Sequence, residues 1–258
     1  MMPDALLDRI LRGIWPSLPA LLVGSAAVCA AASVPVLAAP GINPVAVLTA
    51  ALVVAPFAAA LAATGNAIAF DGAATVRTWW RGLRAWWLFG IRQALVPAIA
   101  ATLFLAAWHV WAGHRAWALP SLAVSGAATL LAVLGLSAVL PLGIAQPRLR
   151  GLPLWITALH LVARRPVRFA AAFSVLVGGA WAATAWTASV LLLVPGPAMI
   201  VMAAAVWTST ADRSDNGVPG RPPFTPLSPA PAPAPNPNKS DIQPTNVEPS
   251  GVMERLVS

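Results

Sequence analysis

Side chains that could do chemistry are scarce in this sequence, and their positions exclude most reactions. The acidic residues all lie outside the long apolar stretches. They are Asp4, Asp8 and Asp71, followed by Asp212, Asp215, Asp241, Glu248 and Glu254. Metal-dependent membrane enzymes and proton- or cation-coupled transporters usually need carboxylates within their spans. The sequence also lacks a phosphate-binding glycine loop, an HExxH zinc motif and a GxSxG nucleophile motif. We therefore expect no enzymatic activity and no cofactor.

Histidine and cysteine do not supply a metal site or a disulfide. His109 and His114 are close in sequence, but a zinc site would need a third ligand that the sequence does not offer. We interpret these two residues and His160 as polar residues near the membrane interface. Cys29 is the single cysteine and lies in an apolar run, so we interpret it as a small hydrophobic residue. We expect no bound metal.

Two further polar residues lie near the ends of apolar stretches. Arg92 is expected to extend its charged end to the lipid headgroups while its aliphatic part stays among apolar groups. Alternatively, Arg92 hydrogen-bonds to Asn66 or contacts an anion.

The composition is that of a membrane protein. Hydrophobic residues make up 59% of the chain and charged residues 9%, whereas soluble domains contain about 25% charged residues. The formal net charge is +8, which in a soluble protein would suggest a nucleic-acid partner. Here the arginines flank apolar stretches, where they set membrane topology. We expect no nucleic acid as a partner.

Apolar stretches along the chain predict transmembrane helices, because about 20 apolar residues cross a bilayer. The predicted spans are residues 16–37, 45–68, 89–111, 119–144 and 167–193, with a shorter stretch at 198–207. The shorter stretch either crosses as a thin span or re-enters the bilayer. The first stretch is longer than the about 7–15 apolar residues of a signal peptide, so an uncleaved span is favoured over a cleaved leader.

These spans predict an all-α fold, a polytopic membrane helical bundle. It has about six transmembrane helices in three hairpins, together with interfacial amphipathic helices, and covers residues 1–211. Pro56 lies inside the second span and predicts a kink there.

The arginines are distributed unevenly between the two sides of the predicted membrane. With the N-terminus inside, eleven arginines near the spans fall on the cytoplasmic side and only Arg115 falls outside. This asymmetry predicts a multi-pass protein of the bacterial cytoplasmic membrane, with both termini cytoplasmic.

An Arg/Trp segment, residues 73–87, predicts a membrane-surface helix. At about 100 degrees per residue, Arg77, Arg81 and Arg84 fall within an arc of about 60 degrees. Apolar residues including Trp79 fall on roughly the opposite side. This pattern is typical of a helix that lies flat in the interface, with arginine at the phosphates and tryptophan at the acyl boundary.

A second basic segment follows the fourth span. Residues 152–163 predict another short interfacial helix, and Pro166 is predicted to start a new helix because proline suits a first turn. The lipid bilayer and its anionic headgroups are the expected partners. The predicted membrane-surface contacts are Arg77, Trp79, Arg81, Arg84, Trp86, Trp87, Arg164, Arg165 and Arg168.

The composition changes abruptly at residue 212. Proline then recurs through an Ala-Pro repeat, which favours an extended polyproline II conformation and cannot form a packed core. We predict a disordered, Pro-rich cytoplasmic tail over residues 212–258. Its alternative role is binding a partner that recognises proline.

The layout resembles the YesL-like family of small bacterial membrane proteins. The likeness lies in an N-terminal amphipathic helix, the aromatic-basic stretch 70–87, Pro141-Leu142 at the end of span four, and the Ala163-Arg-Arg-Pro166 sequence. It covers about residues 5–210. The family has no established activity, and its members are associated with carbohydrate uptake, so the resemblance implies an accessory role.

We therefore expect a non-enzymatic accessory or assembly partner, with a transport-system membrane subunit as its possible protein partner. The alternative is a small transporter or permease subunit. A water-accessible polar cavity would favour the transporter, and a solid interior of alanine and leucine would favour the accessory role.

Overall fold

The computed structural model describes residues 3–113, 116–185 and 192–214. These residues form eight α-helices and one short 3₁₀ turn, and no strand occurs among them. The helices are α1 (Pro3–Ala38), α2 (Pro44–Val53), α3 (Ala55–Asp71), α4 (Val76–Ala112), α5 (Leu119–Ala145), α6 (Leu152–Arg164), α7 (Pro166–Ala185) and α8 (Pro195–Ser214). The all-helical prediction is confirmed for this part of the chain.

Local sequence signals placed several helices correctly. Helix α5 covers the predicted fourth span, and α6 covers the predicted short helix after it. The helix breaks at Arg165 and restarts at Pro166, because a residue before proline is pushed out of the helical conformation. The turn before α2 contains Gly41 at a φ of 93°, and the Asn43 side chain caps α2 by accepting the N–H of Ala46 at 2.8 Å.

Helix α4 corrects the prediction of a separate helix lying flat over residues 73–87. A reciprocal pair of hydrogen bonds between Thr75 and Thr78 caps its start. The helix then runs unbroken for 37 residues to Ala112. Nothing separates the Arg/Trp segment from the apolar stretch, and Pro97 lies within the helix, where proline is tolerated in membrane proteins. Asp71 is the last residue of α3.

Helix α1 is also continuous. The N-terminal amphipathic helix and the predicted span at 16–37 form one helix of 36 residues, with Pro16, Pro19 and Pro35 inside it. The second predicted span is instead divided. Helices α2 and α3 meet at Val54 with a bend of 44°, two residues before Pro56. The proline cannot donate a backbone hydrogen bond to the preceding turn, so the predicted kink at this place is confirmed.

Among the residues that the structure describes, three helices are long and apolar enough to cross a membrane. They cover Asp8–Ala38, Val76–Ala112 and Leu119–Ala145. The bent pair α2 and α3 raises the number to four if the pair forms one span. By length and composition the chain is thus a helical protein with several potential membrane spans. The predicted tail from residue 215 onward lies outside the described residues, and α8 extends past the predicted domain boundary to Ser214.

The packed interior lies around α3. Helix α3 is in contact with α1, α4, α5 and α8, and half of its buried residues are alanine. Small residues allow this close approach. A Cβ placed on Gly90 of α4 would lie 2.7 Å from the backbone oxygen of Ala55, and one on Gly65 of α3 would lie 3.3 Å from that of Met199 in α8.

Helix α8 begins beside the middle of α1. The Gly196 N–H donates to Ser25 Oγ at 2.8 Å, and this contact is buried. Ser25 lies 13 residues before the end of α1 at Ala38, which is about 20 Å at the rise of an α-helix. The short last apolar stretch, residues 198–207, is helical and largely buried. Its helix, α8, starts beside Ser25 and so well before α1 reaches the turn to α2.

Candidate functional site: a basic surface and a buried polar network

The predicted arginines of α4 form an exposed basic surface. Arg77, Arg81 and Arg84 are all exposed, and α4 contains no acidic residue. The guanidinium carbon of Arg84 lies 5.0 Å from the ring centroid of Trp80, a cation–π geometry. Trp80 is 47% exposed and was not among the predicted contacts. Its spacing of four residues from Arg84 is the signal that could have identified it, because such pairs are neighbours on a helix.

The prediction that Trp79 faces the membrane surface is wrong. Its side chain is only 6% exposed and stacks on Phe57 of α3, with ring centroids 6.5 Å apart. Trp86 is half-buried and packs edge-on against Phe89, at 5.7 Å. Trp87 is 48% exposed. Trp79 packs against α3 and is not available to lipid, whereas Trp87 on the same side of the segment stays accessible.

The second group of predicted arginines lies at the junction of α6 and α7. Arg164 ends α6, Arg165 lies between the helices, and Arg168 lies in the first turn of α7. Arg164 and Arg165 are exposed, whereas Arg168 is half-buried. Helix α6 is attached to α4 by a hydrogen bond from Trp155 Nε1 to Gln93 Oε1 at 2.7 Å. The two arginine groups therefore belong to connected helices.

A buried hydrogen-bond network joins three helices, α3, α5 and α8. Asn66 of α3 is 5% exposed, and its Nδ2 donates to the backbone oxygen of Pro141 in α5 at 2.8 Å. Its Oδ1 accepts a hydrogen bond from Trp207 Nε1 of α8 at 3.1 Å. Phe70 packs edge-on against Trp207, with ring centroids 4.5 Å apart. Asn66 thus hydrogen-bonds within the protein through both its amide nitrogen and its amide oxygen. Arg92, the predicted alternative partner of Asn66, is exposed.

Two buried serines of α1 hold the starts of other helices. Ser17 Oγ accepts the N–H of Ala74 at 2.8 Å, just before α4. Ser25 does the same for Gly196 at the start of α8. Ala74 lies two residues before α4 and Gly196 lies in the first turn of α8, so neither N–H has a partner within a helix. Helix α1 therefore satisfies donors that burial would otherwise leave unpaired.

The interior between the helices is filled with small apolar side chains. Several are fully buried, among them Ala59, Ala60, Leu61, Ala138 and Val139. Within the described residues, no group of three His, Cys, Asp or Glu side chains could hold a metal ion. Large apolar side chains are exposed along the outer parts of α4, α5 and α7, as on a protein surrounded by lipid tails. They include Ile99, Leu103, Val124, Leu130, Leu131 and Val177.

Comparison with protein-family models, with curated proteins and with solved structures finds no match to this chain. The resemblance to the YesL-like family therefore stays a prediction. The fold and the site define a helical protein with several potential membrane spans, a basic surface and an interior of small apolar residues.

Proposed function

We propose that this chain is a multi-pass protein of the bacterial cytoplasmic membrane that acts as a non-enzymatic accessory or assembly partner. Its basic surface holds anionic lipid headgroups on the cytoplasmic side. The observation that supports this best is the exposed row of Arg77, Arg81 and Arg84 on one helix that continues directly into an apolar stretch.

The electrostatics of α4 favour an anionic partner. The three arginines lie near the start of the helix, and its first turn contains no acidic residue. The helix macrodipole is positive at that end, so Arg77 in the first turn adds to a charge of the same sign. Anionic headgroups would neutralise both, at about 1 kcal/mol per basic residue near the surface.

The proposed topology has six crossings in three hairpins, with both termini in the cytoplasm. Eleven arginines near the spans then share the cytoplasmic side. The last crossing is α8, which starts beside the middle of α1. Backbone N–H groups at a helix start within a membrane need a protein partner, and Ser25 supplies one for Gly196 of α8.

The accessory role is favoured by the filled interior. A transporter needs a polar path, whereas the buried faces of α3 and α5 consist mainly of alanine, leucine, valine and glycine. The YesL-like resemblance points the same way and suggests a membrane subunit of a transport system as the protein partner.

Lipid analysis of the purified protein tests the headgroup proposal. Replacing Arg77, Arg81 and Arg84 by glutamine is expected to remove most of the enrichment of anionic over zwitterionic lipid in nanodiscs of mixed composition. The matched control removes the same charge from the Pro-rich segment, as R221Q, K239Q and R255Q. Equal lipid enrichment in both triple variants would refute a role for the α4 surface.

A small transporter remains the second candidate, because α2 and α3 bend by 44° and α8 starts beside mid-α1, as broken helices do in transporters. Thr64, fully buried on the same helix as Asn66, is the deciding position. Its hydroxyl bonds only within α3, so in a Cys29→Ala background Thr64→Cys keeps the inter-helix bonds and is expected to resist a membrane-impermeant thiol reagent from both sides. Labelling that a solute suppresses would instead favour transport.

A further inference from the structure

The exposed stripe of α4 continues past the predicted contacts into the apolar stretch. Relative to Arg84, the positions of Arg77, Arg81, Leu88, Arg92, Ile99 and Leu103 fall within an arc of about 100 degrees at 100 degrees per residue. All seven side chains are exposed. One side of the helix therefore changes from basic to aliphatic along its length.

We propose that this stripe binds one anionic phospholipid of the cytoplasmic leaflet, with its phosphate at Arg81 and Arg84 and its acyl chain along α4 to Ile99. This inference rests on the proposed function and deepens it, because it assigns the lipid class and a single defined site. The seven exposed residues between Arg77 and Leu103 named above are called the α4 stripe.

The dimensions of the stripe fit a single leaflet. Arg84 and Ile99 are 15 residues apart, which is about 22 Å along an α-helix. Half of a hydrocarbon core of about 30 Å, plus a headgroup layer of about 5–8 Å, gives a similar length. A phosphate at Arg84 thus places the end of the acyl chain close to Ile99.

The head of the stripe is built for a phosphate. Arg81 and Arg84 are three residues apart and are therefore neighbours on the helix surface. Trp80 lies under the Arg84 guanidinium at 5.0 Å, which orders that side chain before any ligand arrives. Arginine presents paired N–H donors that match phosphate oxygens. Helix α4 contains no acidic residue, so no side chain of this helix neutralises the two arginines. Their positive charge is complementary to an anion.

Arg92, predicted to reach the lipid headgroups, contributes to the same site. It lies eight residues beyond Arg84, about 12 Å deeper along the stripe. Side chains on an α-helix lean towards its N-terminus, so the Arg92 guanidinium is directed back towards Leu88 and the headgroup end. There it would contact the phosphate or the ester oxygens of the same lipid.

Native mass spectrometry of the full chain in detergent tests the site. Titration with phosphatidylglycerol is expected to show one saturable lipid, and R81Q/R84Q is expected to weaken it about 20- to 30-fold, from about 1 kcal/mol per basic residue. Trp80→Leu is expected to weaken it about 2- to 5-fold. The control R148Q/R150Q removes the same charge from exposed positions between α5 and α6 and is expected to bind normally.

Two further ligands separate a lipid site from a phosphate site. A short-chain phosphatidylglycerol is expected to bind much more weakly than the long-chain lipid, because it cannot follow the stripe to Ile99. Inorganic phosphate is expected not to compete. Equal affinity for both chain lengths, or competition by phosphate, would overturn the acyl part of the proposal.

The experiment distinguishes failure of the single lipid site from failure of the proposed function. Non-saturating binding that R81Q/R84Q and R148Q/R150Q weaken equally would refute the single site and leave a diffuse anionic surface intact. No preference for phosphatidylglycerol over phosphatidylcholine of the same chains would refute both. Circular dichroism and thermal unfolding of each variant establish that the helices are retained.

Discussion

Replacing Asn66 by alanine should destabilise the bundle strongly, because this amide joins three helices. The change removes the bond to the Pro141 oxygen at 2.8 Å and the acceptor of Trp207 Nε1 at 3.1 Å. Trp207 Nε1 would then lose this buried acceptor, and a buried donor that loses its acceptor costs about 1–3 kcal/mol. With the second lost bond, at about 1 kcal/mol, the free energy of unfolding should fall by about 2–4 kcal/mol.

Thermal unfolding in detergent measures this loss. For a chain of about this size, 1 kcal/mol corresponds to about 2–4 °C in Tm, so Asn66→Ala should lower the Tm by about 5–15 °C. Trp207→Phe keeps an aromatic ring beside Phe70 and removes only the N–H donor. Since both changes break the same bond, the double variant should lose less stability than the sum of the two single variants.

Strict additivity of the two changes would refute the bond between Asn66 and Trp207. A Tm of Asn66→Ala within one or two degrees of the wild-type value would refute the wider reasoning that this network holds α3, α5 and α8 together. Ser174→Ala is the matched control. Its hydroxyl donates to Ala170 on an exposed face of α7, and its loss should leave the Tm unchanged.

Two further predictions concern packing around α1 and α3. Ser25→Ala should lower the free energy of unfolding by about 1–2 kcal/mol, because the buried Gly196 N–H loses its cap. Ser25→Thr keeps a hydroxyl and should lose less stability. Equal Tm values for Ser25→Ala and wild type would contradict the cap. Gly90→Ala should cost about 1–3 kcal/mol in the same assay, because its Cβ would lie 2.7 Å from the Ala55 oxygen. Gly178→Ala adds its methyl group to open space and should be neutral or slightly stabilising; the opposite order of the two glycine variants would contradict the α3–α4 packing.

The parts of the fold that local chemistry determines could be predicted from the sequence. Pro166 and Arg165 before it fix the break between α6 and α7. Gly41 and Asn43, in the turn after α1, fix the start of α2. Pro56 marks the bend between α2 and α3. Each signal acts within a few residues, so no knowledge of the packed structure is needed to interpret it.

The errors arise where tertiary contacts decide. The tryptophans at 79 and 80 are adjacent, and periodicity alone placed the first at the membrane surface. Packing of α4 on α3 buries Trp79 and leaves Trp80 outside. The partners of Asn66 lie 75 and 141 residues away in the sequence, a distance at which no spacing rule applies. The capping roles of Ser17 and Ser25 are equally non-local.

The accessory role is the central claim, and co-purification from native membranes tests it most directly. The tagged full chain is extracted in a mild detergent, and mass spectrometry identifies the proteins and lipids that remain bound. The proposal predicts a stoichiometric membrane subunit of a transport system together with enriched anionic lipid. Recovery of the chain alone, with lipid in the proportions of the bulk membrane, would contradict both the partner and the headgroup contact.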